Sequence, residues 1–244
     1  WPDPLPEKLP LNTPVNAEYI QQGKLGKEIV INPSIASWMD NAEGKPLWLP
    51  RDEKKPLVAN ALIGIVDNTF LAEQRVLNID LSGDPLIIFG AAGRGKTTFL
   101  KSLLISLAAQ YSPADLHIFA LDFGRGGLKA LRKLPHVGGI VETNEEERVE
   151  RLIRMLRNIL DERQLKLQAY DSLADYNAKN PEAAFPPVVV AIDNVSEFRE
   201  MYERFLPDLI ALVRDGRSFG MYFVIATTLT NDVPSKLFNL LTQR

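Results

Sequence analysis

From about position 61 onward, apolar residues fall in short runs separated by polar or glycine-rich turns, and the period of the runs alternates between two kinds. Leu86-Ile87-Ile88-Phe89 is continuous and four residues long, the form of a strand covered on both faces in a parallel sheet. Residues 97–110 come next, with Leu100, Leu103, Leu104 and Leu107 at helical spacing. Residues 116–121 form a second apolar strand ending in Asp122, and 124–127 a flexible loop. A long helix is predicted to start at Asn144, with Glu147 completing a capping box and Val149, Leu152, Ile153, Leu156 and Leu160 as its core stripe. Residues 188–192 are a third apolar strand ending in Asp193, and a helix is predicted over about 198–213. Residues 221–226 form a strand that runs into Thr227-Thr228, and 234–241 are helical. Upstream, 63–67 and 75–81 read as strands, the second partly alternating Val76, Leu77, Ile79 and Leu81 with Asn78 and Asp80 before the turn Ser82-Gly83-Asp84. Strands alternating with helices predict an α/β fold, a mostly parallel sheet with helices on both faces.

The first sixty residues differ. Trp1-Pro2-Asp3-Pro4-Leu5-Pro6, Pro10 and Pro14 exclude helix and central strand. They predict an extended segment along a neighbouring surface, and Pro33, Pro46, Pro50 and Pro56 punctuate residues 15–60. The expected division is a Pro-rich extension, 1–60, packing on a domain at 61–244. A chain of 244 residues with 45% hydrophobic content has ample core for one large α/β domain with an extension. No apolar run approaches membrane-helix length and no signal peptide opens the chain. The chain has no cysteine, so disulfides and thiolate metal sites are excluded, and His117 and His136 cannot make a zinc site alone.

Chemistry enters with Gly90-Ala91-Ala92-Gly93-Arg94-Gly95-Lys96-Thr97, continued by Thr98. The octet fits G-x-x-x-x-G-K-[ST], the phosphate-binding P-loop, and sits between a predicted strand and a predicted helix as that motif requires. Its glycines let backbone N–H groups close on phosphate oxygens, and the helix N-terminus adds its dipole. Lys96 would reach the β- and γ-phosphates of ATP, and the Thr97 hydroxyl would ligate Mg²⁺. Val188-Val189-Val190-Ala191-Ile192-Asp193 is the complementary signature, a hydrophobic strand ending in an aspartate that holds Mg²⁺. Such a strand is common in α/β folds, and its weight comes from the pairing with the P-loop. The strand 116–121 intervenes in sequence, the ordering of a RecA-like P-loop nucleotide triphosphatase. Arg148, Arg151, Arg154 and Arg157 form a row, but Glu147 and Glu150 each stand four residues ahead of an arginine, so the face can pair with itself. With a net charge of -3 and a pI near 5.6, specific DNA binding is not expected.

These motifs resemble the FtsK/SpoIIIE-type ATPases, with Asp215-Gly216-Arg217 standing before the next strand. More narrowly, the chain is similar to one module of the type VII secretion ATPases of the EccC/EssC family. That similarity rests on Trp1–Pro6, Ile63-Gly64-Ile65-Val66-Asp67, Leu116–Phe119, Leu121-Asp122-Phe123-Gly124 and above all Leu134-Pro135-His136-Val137-Gly138-Gly139. The resemblance implies a cytoplasmic motor module of a membrane-anchored chain that exports proteins, binds ATP and Mg²⁺, and works beside other modules in a ring hexamer. It implies that Arg217 is an arginine finger acting on a neighbour's nucleotide, that Thr228 is a sensor, and that His136 is structural. It also implies a further strand after 237–243, so that this chain would be a fragment. Two residues depart from the family pattern. Asn194 stands where a water-activating Glu is expected, and Thr227-Thr228 where the DNA translocases carry Thr-Gln. An amide cannot take a proton from water, so the resemblance implies a degenerate module that binds ATP but hydrolyses it weakly. Glu197 and Asp122 are the carboxylates that could substitute. The competing reading is a DNA-translocating ATPase.

Overall fold

The computed structural model describes residues 14–16, 28–30, 59–71 and 73–243. The run Trp1–Pro10 and the packing expected of the 1–60 extension lie outside them. Within the first sixty, β1 (Pro14–Asn16) pairs antiparallel with β2 (Glu28–Val30). A second antiparallel hairpin joins β3 (Asn60–Asn68) to β4 (Glu73–Asp80).

The central sheet contains β5 (Leu86–Phe89), β6 (His117–Asp122), β7 (Val137–Glu142), β8 (Val188–Asp193) and β9 (Met221–Thr227). All are parallel, in the order β5-β9-β8-β6-β7. Every residue of β8 and β9 is buried, which is why both read as continuous apolar runs and not as alternations. Successive side chains nevertheless serve opposite faces. Val188, Val190 and Ile192 pack with the stripe of α2 (Glu146–Leu167) and with Leu209 and Leu212 of α5 (Leu206–Gly216). Val189 and Ala191 pack with Leu100, Leu103, Leu104 and Leu107 of α1 (Lys96–Gln110).

α1 is buried on its other side too, because the β3–β4 hairpin covers it. Ser106 Oγ donates to the Leu62 carbonyl at 2.8 Å and accepts from the Leu62 N–H at 3.0 Å, and Gln110 Nε2 donates to the Asn60 carbonyl at 3.0 Å. These bonds satisfy polar groups that would otherwise be buried unpaired between helix and hairpin. On the opposite face Arg163 of α2, 4% exposed, donates to the carbonyls of Pro186 and Phe219, both at 2.6 Å, and so fastens α2 beneath the starts of β8 and β9. Burial lowers the guanidinium pKa to about 10.

Several predicted elements change on folding. α2 begins at Glu146, while Asn144 lies before it with φ 73°. The expected capping box is absent: the Glu145 carboxylate accepts from the Glu142 N–H at 2.7 Å, and Glu147 pairs instead with Arg151 at 2.7 Å. The Glu150–Arg154 pair is replaced as well, since Glu150 faces Arg204 at 3.8 Å and Arg157 reaches Asp208 on α5. The single helix expected over 198–213 is two, α4 (Val195–Met201) and α5, with Pro207 at the start of the second. Proline has no N–H to carry a helical ladder across that point. β7 and α3 (Leu173–Lys179), the latter capped by Ser172 Oγ accepting from the Asp175 N–H at 3.1 Å, carry no strong periodic signal. The chain ends its described course with α6 (Ser235–Phe238) and then Gln243, whose carbonyl accepts from the Ile87 N–H at 3.0 Å on the outer edge of β5.

Candidate nucleotide site

The C-terminal ends of β5, β8, β6 and β9 open on one edge of the sheet, and the segments leaving them meet there. After β5 the chain turns through Gly93 (φ 76°) and Gly95 (φ 86°) into α1. Both angles lie in the left-handed region that a residue without Cβ enters at no steric cost. Among the described residues no side chain caps α1 and no acidic residue occupies its first turn, so its leading N–H groups and its dipole favour an anion. Lys96 Nζ folds back over the loop and donates to the carbonyls of Gly90 at 2.6 Å and Ala91 at 3.2 Å.

Thr97 Oγ1 donates to Asp193 Oδ2 at 2.6 Å, across 96 residues of sequence. That contact joins the P-loop helix to the end of β8. Asp193 is 2% exposed, and burial pushes its carboxyl above the usual aspartate range. The Thr97 hydrogen bond opposes that shift, while the nearby charge of Asp122 adds to it. The approach is close on a third side. A Cβ on Gly124 would lie 2.3 Å from Asp193 Oδ2, and one on Gly127 2.4 Å from Thr97 Cγ2. The loop leaving β6 is therefore wedged against both residues, with glycine where it touches them.

A cavity of about 560 Å³ lies over this junction, lined by Ala92, Gly93, Lys96 and Thr97 from the P-loop, by Asp193, Asn194 and Glu197 around the end of β8, by Phe123, Gly124 and Arg125 after β6, and by Thr143 and Thr228. Asn194 has φ 70°, and its Nδ2 donates to the Phe123 carbonyl at 3.4 Å. Of the two substitute carboxylates only Glu197 lines the cavity. Asp122 is turned inward, 1% exposed, with Oδ2 accepting from the Leu128 N–H at 2.7 Å. Gly90, Ala91, Arg94, Gly95 and Thr98 shape the loop and the helix start without lining the cavity.

Arg217 is not brought to this edge. It precedes β9, at the opposite end of the sheet, and pairs with Asp84 ahead of β5 at 2.5 Å; Asp215, the partner suggested by sequence proximity, is held by Arg214 at 2.7 Å. His136 is buried, its Nε2 2.7 Å from the Tyr111 carbonyl, and burial lowers its pKa, which fits a structural role. Among the described residues no cluster of His, Cys, Asp or Glu could hold a metal by itself. The residues nevertheless fit a cation bound together with phosphates: one hydroxyl and one costly carboxylate converge beside a phosphate-type loop. Phe123, Gly124, Arg125 and Thr143 enter the site through the adjacency of β6 and β7 to β8; in the linear sequence 124–127 read only as a flexible loop, and Phe123-Gly124 figured only as part of the family resemblance.

The family model described as FtsK/SpoIIIE matches residues 51–184, more than half of the chain. An ESX secretion system protein EccC of Geobacillus thermodenitrificans is 32% identical over 90% of this chain and 16% of its own length. The ESX secretion system protein YukB of Bacillus subtilis is 30% identical over 71% of this chain and 12% of its own. The chain thus spans a small fraction of the curated relatives it matches. Among solved structures, EssC (ATPases 2 and 3) from Geobacillus thermodenitrificans superposes with a TM-score of 0.71 at 30% identity, over 81% of this chain and 38% of that one. Thermomonospora curvata EccC (ATPases 2 and 3) in complex with a signal sequence peptide gives 0.71 at 26% identity, over 77% of this chain and 36% of that one.

Proposed function

The chain belongs to the FtsK/SpoIIIE family, and on that footing we propose that it is an ATP- and Mg²⁺-binding module of a type VII secretion ATPase in which hydrolysis is weak or absent. Lys96 and the loop 90–98 take the phosphates, and Thr97 with Asp193 takes the metal. Bound Mg²⁺ would neutralise charge on the β- and γ-phosphate oxygens. The observation that carries this reading is the 2.6 Å contact between Thr97 Oγ1 and Asp193 Oδ2 at the mouth of a cavity that Lys96 also lines.

Asn194 occupies the base position. Its amide can orient a water but cannot accept the proton that attack on phosphorus releases, and loss of a general base typically costs about 10²- to 10⁴-fold in rate. Glu197 is the carboxylate placed to substitute. Arg217, at the far edge of the sheet, serves a neighbouring module's nucleotide, and Thr228 senses the phosphates from the end of β9. The parent protein is membrane-anchored with this module in the cytoplasm, working in a ring with other modules on secreted protein substrates. Similarity to EccC, EssC and YukB supports this setting, and no described helix is long and apolar enough to cross a membrane.

Calorimetric titration with Mg-ATP tests the binding claim. Lys96→Ala removes a charge-assisted contact worth about 1.5–3 kcal/mol, so affinity falls on the order of 10- to 100-fold. Equal affinity in wild type and variant would overturn the assignment.

A further inference from the structure

Arg125 stands in the loop between β6 and β7 with φ 68°. Its neighbours Gly124, Gly126 and Gly127 are glycines, and Gly126 shares the left-handed backbone at φ 77°. A glycine at 125 would adopt that conformation freely, while an arginine is strained in it. Strain of this kind persists where the surroundings hold it in place, and it gathers at ligand sites. The Arg125 side chain is exposed, and among the described residues it has no hydrogen bond, ion pair or aromatic ring to explain its presence. It lines the cavity above Thr97 and Asp193, where Lys96 is the other cation.

The position within the cavity narrows its role. Gly124 lies against Asp193 and Gly127 against Thr97, at 2.3 and 2.4 Å for their would-be Cβ atoms. Those two residues mark the metal end of the site, which in phosphoryl-transfer enzymes is the β/γ end of the nucleotide. We propose that Arg125 is a γ-phosphate contact supplied by the module to its own nucleotide, setting a preference for ATP over ADP. The inference rests on the ATP-binding reading above and adds a specificity to it. A guanidinium fork suits the task, since it meets phosphate oxygens through two parallel donors where a lysine offers a point charge. With Asn194 unable to drive cleavage, such a site holds a triphosphate as a persistent state.

The test is the pair of dissociation constants for Mg-ATP and Mg-ADP, measured by calorimetry on wild type, Arg125→Gly and Arg125→Lys, together with the melting temperature of each free protein. Arg125→Gly is expected to weaken ATP binding about tenfold, the scale of one charge-assisted contact, while ADP affinity stays within about twofold. Its melting temperature should equal or exceed that of wild type, because the strain is relieved. Arg125→Lys should retain part of the ATP preference. An unchanged ATP-to-ADP ratio in Arg125→Gly, or an equal loss of both nucleotides, would overturn the inference while leaving nucleotide binding intact. A wild-type chain that binds neither nucleotide would overturn the ATP-binding reading and this inference together.

Discussion

Asp193 lies 2% exposed, with Asp122, another buried carboxylate, opposite it in the β6–β8 register. Burial and that neighbour both raise its pKa, so the folded protein favours the protonated form more than the unfolded chain does. Stability from this group is therefore fully present below the ordinary aspartate pKa and is lost as pH rises through the raised folded value. At neutral pH the free protein carries a cost that a bound cation would offset. Asp193→Asn is expected to raise the melting temperature of the ligand-free chain at pH 7 by about 2–4 °C, as about 1 kcal/mol implies for a domain of this size, and to remove the further stabilisation by Mg-ATP. The gain should shrink as pH falls, because the raised folded pKa lets wild type take up its proton before the unfolded chain does. Thermal melts across pH, with and without Mg-ATP, check this; a lower melting temperature for the variant at pH 7 would contradict it. Asn194 also has a residue-scale reason beyond chemistry. Its φ of 70° is one that Asn tolerates better than Glu, so the amide at this position suits the backbone it occupies. That Lys96, Thr97 and Asp193 come together was legible because a P-loop motif fixes its spacing along the chain. The placement of Gly124 and Arg125 beside them was not, because nothing local says that β6 lies beside β8.

Among the elements, the apolar strands β5, β6, β8 and β9 and the stripes of α1 and α2 were readable from period alone. Misreadings arose where one polar residue or proline decides a boundary: Pro207 splits the predicted helix, and Glu145 commits its carboxylate to the Glu142 N–H in place of a capping box. β7 escaped because Val137-Gly138-Gly139 lacks a strand's composition. A Cβ on Gly138 would lie 2.4 Å from Phe119 Cε1, so tertiary packing selects glycine there against strand propensity. The turn between α5 and β9 bears directly on function. Six-residue strands span roughly 20 Å, and Arg217 and the P-loop sit at opposite ends of them, so Arg217 cannot touch its own nucleotide. Arg217→Ala in a monomeric sample is expected to leave Mg-ATP affinity within about twofold. Its exposed pairing with Asp84 contributes about 0–1 kcal/mol, so stability should scarcely move. A large loss of affinity in a sample shown to be monomeric by light scattering would contradict the assignment of Arg217 to a neighbour.

For the whole molecule, the sequence predicted a parallel α/β sheet but could not order it. The observed order β5-β9-β8-β6-β7 inserts β9 between the P-loop strand and the strand of Asp193. That brings Thr228 and Asn194 into the lining of one cavity with Thr97, and it depends on long-range pairing that the composition of the strands does not specify. The same arrangement separates two capacities. On the proposed reading, phosphate binding would draw on residues 90–98 and Asp193, all within this chain, whereas turnover would need a base that an amide at Asn194 cannot supply and an arginine from a second module. The most direct test is a single-turnover experiment: the chain in excess over γ-labelled ATP with Mg²⁺, with protein-bound label and free phosphate monitored in time and Lys96→Ala as control. The account predicts that wild type captures the label and holds it as ATP for minutes, and that Lys96→Ala fails to capture it. Phosphate release faster than about 1 s⁻¹ and abolished by Lys96→Ala, or no capture by wild type at all, would contradict it.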